Sequence, residues 1–182
     1  IMVDKEQGRL VQRLPAFIEF LRGRWEGRGD SGELDIQYQS YINLSKKIEF
    51  ATSELMDKGL DKENNQKLVH AINRQNLLLS LGENLYQLIG SLNRSQWSAD
   101  MDTLIHNIVE ASDTILLSAG DAFGSGSDED LQMLLVITSD KGDVMDNMRL
   151  KYLSIQEKIN ADEKHVLLFI TEQFERMVWL IR

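Results

Sequence analysis

Residues 60–92 read LDKENNQKLVHAINRQNLLLSLGENLYQLIGSL. Leu68, Ile72, Leu79, Tyr86 and Ile89 fall on one helical stripe. Leu78, Leu81, Leu85, Leu88 and Leu92 fall on a second, at alternating spacings of three and four. One stripe suffices for a helix lying on a surface. Two adjacent stripes make a broad apolar face that must touch at least two neighbours. The stretch therefore predicts the central helix of a bundle, with Asp61 as its N-cap and Glu63 in the first turn, where negative charge suits the helix dipole.

The bulk composition agrees. The chain has 182 residues, 42% of them hydrophobic, with one Pro and 12 Gly. That is enough to bury a core, and the long spans without turn residues point to an all-α class. A formal charge of −9 argues against a general nucleic-acid binder, whose affinity rests on neutralising phosphates. Without cysteine there can be no disulfide, thiolate metal site or cysteine nucleophile. No apolar run reaches the ~18–20 residues that span a bilayer. No signal peptide is visible, because Ile1-Met2-Val3 meets charges at once. The chain starts and ends inside apolar patterns with no cap or stop signal. This favours a piece excised from a longer protein over a complete small one.

Outward from the spine, a first segment over residues 4–21 places Leu10, Leu14, Phe17, Ile18 and Leu21 on one face, and Pro15 predicts a kink or two short helices. Gly23, Gly27, Gly29 and Gly32 break the chain, with Asp30-Ser31 as a candidate cap. Residues 1–30 carry Lys5, Arg9, Arg13, Arg22, Arg24 and Arg28 against Asp4, Glu6, Glu19, Glu26 and Asp30, a net +1 that leaves −10 on the rest. A solvated helix face accounts for this; proximity to anionic lipid headgroups is the sharper alternative. The second helix, 34–58, presents Ile36, Tyr41, Leu44, Ile48, Ala51 and Leu55, and Gly59 stops it. A fourth, 98–123, presents Met101, Ile105, Ile108, Ser112, Ile115, Ala119 and Ala122, the small residues inviting close approach; Gly124-Ser125-Gly126 ends it. A fifth runs from a capping box at Ser127 and Asp130 to Ile159, through Leu134, Thr138, Lys141, Met145, Met148, Tyr152 and Ile155, with a local kink expected at Gly142. Asn160 and Glu163 form another capping box opening the sixth helix, to Arg182.

The spine and the last helix superpose with a shift of 99. Asp61 meets Asn160, Leu68 meets Leu167, Val69 meets Leu168, Leu78 meets Met177, Leu79 meets Val178 and Leu81 meets Leu180. The chain thus divides into two three-helix units, about 1–93 and 95–182.

Residues with local chemical promise are few. His106, Glu110 and Asp113 share one helix face at a spacing that could hold a metal. The sequence His106-Asn107-Ile108-Val109-Glu110 lacks the second His of a metalloprotease helix, so a surface His beside a surface Glu is the simpler reading. Gly124-Ser125-Gly126-Ser127 has no following Lys and is no phosphate loop. Asp128-Glu129-Asp130 lacks the alternation of a calcium loop. Met133, Met145, Met148 and Met177 are expected as core filler. No catalytic, cofactor-binding or metal residue is assigned.

Residues 71–88, 139–145, 149–153 and 169–180 resemble the soluble carboxy-terminal domain of bacterial sodium/phosphate cotransporters, a PhoU-like domain of two three-helix repeats. Arg13-Leu14-Pro15-Ala16-Phe17 resembles the connection after the last membrane helix in that group. The resemblance implies a kinked arm and linker, 1–33, followed by a PhoU-like antiparallel bundle, 34–182. It implies a non-catalytic regulatory or assembly domain at the cytoplasmic face of the inner membrane. The expected partner is the transmembrane part of the same transporter, with a homo-oligomer as a further option and the arm near the membrane surface. PhoU proteins bind metal through Glu-x-x-x-Asp motifs on the third helix of each repeat. The matching positions here are Asn76 and Ser80, then Glu175 and Trp179, and only Glu175 keeps an acid. Two alternatives stay open: a free-standing PhoU-like adaptor in phosphate signalling, and a metal-dependent helical-bundle enzyme. The latter needs Glu-x-x-His pairs, and Asp162-x-x-His165 is the nearest approach.

Overall fold

A computed structural model describes residues 2–28, 30, 32–93, 97–139, 146–147, 149–151, 154 and 161–182. Among these residues the chain is all-helical, with α1 Met2–Val11, α2 Pro15–Trp25, α3 Glu33–Asp57, α4 Lys62–Leu92, α5 Ala99–Ser125, α6 Asp128–Ile137 and α7 Ala161–Ile181. The described residues at 146–154 are helical as well.

The spine, α4, behaves as its two stripes require. Leu78, Leu81, Leu85, Leu88 and Leu92 are all buried, as are Leu68 and Ile89 of the other stripe. Ile72, Leu79 and Tyr86 are half-buried at the edge of the face. The helix packs most heavily on α7 and α3, and also on α1 and α2. Asp61 caps it, Oδ1 accepting from the Asn64 N–H at 2.9 Å. Gly59, at φ +66°, ends the preceding turn in a conformation few other residues adopt.

Pro15 breaks the first segment outright. It sits at the first turn of α2, where its missing N–H is not needed. Between α1 and α2 the chain turns through short bonds from the Arg13 N–H to Leu10 O and from the Leu14 N–H to Val11 O. Both helices enter the core: Leu10, Leu14, Ile18 and Leu21 are wholly enclosed, and Phe17 nearly so. One continuous apolar cluster runs from Val3 to Val178.

The face of α3 differs from the expected one. Ile36 is 70% exposed, while Leu34, Tyr41, Ser45, Ile48 and Thr52 point inward. The stripe is rotated because polar Ser45 has a buried partner on α4, its Oγ accepting from Gln75 Nε2 at 2.7 Å, while Thr52 satisfies its hydroxyl within α3, Oγ1 donating to Glu49 O at 2.8 Å. Gly32, not Asp30-Ser31, is the N-cap of α3, and it makes no side-chain cap bond.

The second half also departs from its sequence reading. α5 continues to Ser125 and closes on Gly126 at φ +61°. At the start of α6, Ser127 Oγ accepts from the Asp130 N–H at 3.1 Å. The reciprocal half of the box is missing, because the Ser127 N–H goes to Ser125 Oγ and the Asp130 carboxylate to the hydroxyls of Ser125 and Ser127. The sequence carries the fifth helix to Ile159; α6 as described ends at Ile137, capped by Thr138 N–H bonds to Leu134 O and Val136 O. Lys141, Met145, Met148, Tyr152, Ile155 and Ile159, the kink at Gly142 and the Asn160 cap lie outside the described residues. Glu163 is buried and reaches across to α5, where Oε1 accepts the Ser98 N–H at 2.6 Å.

Candidate functional site

The cluster with metal-ligand spacing is occupied by an arginine. Arg22 Nη1 donates to Asp113 Oδ2 at 2.7 Å and Glu19 Oε1 at 2.9 Å, and Nη2 donates to Glu110 Oε1 at 2.8 Å. The carboxylates, Glu110 first, hold the guanidinium even more firmly protonated than usual. His106 turns away from the pair. Its ring stacks on Trp25 with centroids 4.4 Å apart, and Nδ1 lies 2.8 Å from Asp102 O. The arrangement ties α2 to α5.

A second arginine takes Glu175. Arg149 Nη2 and Nη1 contact Glu175 Oε2 and Oε1 at 2.6 and 3.1 Å, and Nε donates to Thr171 Oγ1 at 2.8 Å. Asn76 is exposed, Ser80 half-buried, and Trp179 is 72% exposed. His70, Asp162 and His165 are exposed. Among the described residues no group of three or more His, Cys, Asp or Glu is placed to hold a metal ion. Met177 is wholly buried, but Met133 is 58% exposed, so that methionine is not core filler; Met145 and Met148 lie outside the described residues.

The feature that stands out is a groove of about 320 Å³ where α1, α4, α5, α6 and α7 meet. Leu77 and Leu81 of α4, Ala122 and Phe123 of α5, Leu131 of α6 and Leu180 of α7 form its walls. Among the described residues Arg74 and Arg182 are its charged lining residues, and no acidic side chain is among them. Ala119 and Ala122, where the sequence suggests close helix approach, border this open space instead. Arg74 is fixed from several sides. Nε donates to Gln7 Oε1 at 2.9 Å, Nη2 pairs with Asp4, and the guanidinium lies 5.6 Å from the Phe123 ring centroid. Asp4 is held below the usual aspartate range: burial opposes this, and the pairing with Arg74 is among the effects that offset it.

Gln7 is itself enclosed. Its Nε2 lies 2.7 Å from Ala71 O and 3.2 Å from Gln75 Oε1, and Gln75 in turn donates to Ser45. A buried polar chain thus runs from α3 through α4 to α1 and emerges at Arg74. Sequence reasoning missed Arg74, Arg22 and Arg149, since every long-range partner that orders them is remote in the chain. The one local signal was the pair of small residues Ala119 and Ala122.

A broader depression along α3 is lined by Arg13, Asp35, Gln39, Ser40, Asn43 and Lys47 together with apolar Ile36 and Leu44. It is a shallow surface of mixed charge, and Arg13 is already bonded to Ser40 O and Oγ. No helix among the described residues is long and apolar enough to cross a membrane. No protein-family model, curated protein or solved structure matches the chain.

Proposed function

We propose that this chain is a PhoU-like regulatory or assembly domain of a sodium-dependent phosphate symporter, non-catalytic in itself and acting on the transporter's membrane part at the cytoplasmic face of the inner membrane. The observation that carries the proposal is the relation between α4 and α7. Among the described helices they pack along one another the most extensively, with α3 against α4 close behind. Three of the five apolar pairs related by the shift of 99 share environments: Leu68 and Leu167 are buried, Val69 and Leu168 exposed, Leu78 and Met177 buried, whereas Leu79 is half-buried against a buried Val178 and Leu81 buried against a half-buried Leu180. A duplicated three-helix unit accounts for this pairing, and duplication is the organisation that the PhoU-like resemblance implies.

The side chains support a role through packing and contact. The two acidic clusters nearest to a metal site are engaged by Arg22 and Arg149. Such a domain influences a transporter by favouring one of two packed states over the other. The test is phosphate uptake by full-length transporter lacking residues 34–182 of this numbering. Altered kinetics, assembly or response to phosphate is expected; unchanged behaviour in all three would sink the proposal.

A further inference from the structure

We propose that the groove binds a single-chain anionic amphiphile, with its acyl chain along Leu77, Leu81, Phe123 and Leu131 and its carboxylate or phosphate head on Arg74. This stands apart from the transporter reading and does not depend on it.

Size and lining favour such a ligand. A volume of about 320 Å³ lies at the small end of ligand sites, which suits one slender chain. Leu77 is 43% and Leu131 46% exposed, so the walls offer apolar surface that an acyl chain would remove from water. The charged residues lining the groove are both basic, Arg74 and Arg182, in a chain of net −9, and Asp4 offsets Arg74 from outside the lining.

Arg74 is also prepared for an anion. Gln7 fixes Nε, Asp4 pairs with Nη2, and the Phe123 ring supports the plane. Among the described residues the hydrogen bonds of Arg74 use Nε and Nη2 and none uses Nη1, and the residue lines the groove. A guanidinium presents five N–H donors in a rigid fork and can serve two anions at once. Arg22 already does so in this molecule, holding Asp113 and Glu110 together. A head group would therefore join Asp4 on Arg74 without displacing it.

The test is calorimetric titration of the 182-residue chain, below micelle concentrations, with dodecanoate, dodecyl phosphate, dodecyltrimethylammonium and inorganic phosphate. One-to-one saturable binding of the first two is expected. Arg74→Gln should weaken it about tenfold, the loss of one charge-assisted bond, and Ala122→Phe should abolish it by filling the groove. The cation should bind at least tenfold more weakly than dodecanoate. Methyl spectra should move at Leu77, Leu131 and Leu180 and not elsewhere, which decides the matter even where Ala122→Phe fails to fold. The proposal is overturned by absence of saturable binding, by equal binding of the cation, or by inorganic phosphate alone matching dodecyl phosphate. Concentration-dependent broadening of the same methyls without ligand, marking a second copy in the groove, overturns it as well.

Discussion

The ring of Tyr41 lies directly against the backbone of Gly82. A Cβ added at Gly82 would meet Tyr41 Cζ at 2.9 Å, and Cδ1 and Cε1 closer still. The ring cannot retreat easily. Its hydroxyl donates to Leu78 O at 2.6 Å, and it stands edge-on to Phe17 with centroids 6.2 Å apart. Burial pushes the phenol well above its ordinary pKa, so it remains a donor. Gly82→Ala gains about 1 kcal/mol of helix propensity. Overpacking against a fixed ring costs about 1–3 kcal/mol or more, and at this spacing the clash wins. Urea unfolding should show a net loss of about 1–2 kcal/mol. In a Tyr41→Leu background the same substitution should turn neutral or stabilising; an unchanged penalty there would place the strain elsewhere.

That contact marks where the sequence was legible and where it was not. The spine was readable because its information is local: apolar spacing, and Asp61 capping Asn64 three residues on. The Pro15 break and the Gly59 stop are likewise chemistry of adjacent residues. Gly82 gave no signal, since the residue that demands a missing side chain is 41 positions away in number, on α3. Ile36 was misplaced for a related reason. Apolar periodicity favoured it, but Ser45 and Gln75 satisfy one another in the core across 30 residues, and that pairing sets the rotation of α3. The groove was legible only as small residues on α5, because its other walls come from four separate helices.

Arg22 should be worth more than an ordinary surface ion pair. Glu19 and Glu110 are mostly solvated, and pairs of that kind contribute about 0–1 kcal/mol. Asp113 is different, with its side chain only 14% exposed. Removing Arg22 strands that carboxylate, so Arg22→Ala should destabilise by about 1–3 kcal/mol in chemical denaturation. Arg22→Lys should recover little, because an ammonium cannot reach all three carboxylates with a planar fork. Full rescue by lysine would show that charge, not geometry, is what matters.

Glu163 should stabilise α5 from another helix. Its buried Oε1 accepts the Ser98 N–H, one of the unpaired donors at the helix start. Glu163→Ala leaves that N–H without this acceptor, and a loss of about 1.5–3 kcal/mol is expected for a charged bond. Glu163→Gln keeps a carbonyl acceptor and should lose less than half as much. Hydrogen exchange offers the local check: the Ser98 amide should exchange faster in the alanine variant. Protection equal to wild type would mean that the Glu163 carboxylate is not what protects the Ser98 amide.

Arg149 and Glu175 should be coupled energetically. Their side chains are 19% and 30% exposed, and the contact is two-pronged. A double-mutant cycle with Arg149→Met and Glu175→Gln should return about 0.5–1.5 kcal/mol of interaction at low salt, smaller in 1 M salt. A coupling energy indistinguishable from zero would free Glu175 for the metal chemistry that this pairing now opposes.

Asp61 supplies the pH dependence. Its carboxyl is held below the ordinary 3.8, chiefly by the Asn64 backbone N–H, then by the Asn64 side chain. The unfolded chain therefore binds a proton more readily than the folded one. Stability from this group is fully present above the unfolded value and is lost as pH falls through the lower folded value. Asn caps a helix about as well as Asp but does not titrate in this range. Asp61→Asn should leave the melting temperature near neutral pH almost unchanged and flatten its decline below about pH 4. Asp130, lowered first by its bond from Ser125, follows the same sign at the start of α6, so the double variant Asp61→Asn/Asp130→Asn should flatten the curve further. Parallel melting curves for wild type and both variants between neutral and acid pH would mean that neither cap carries the linkage.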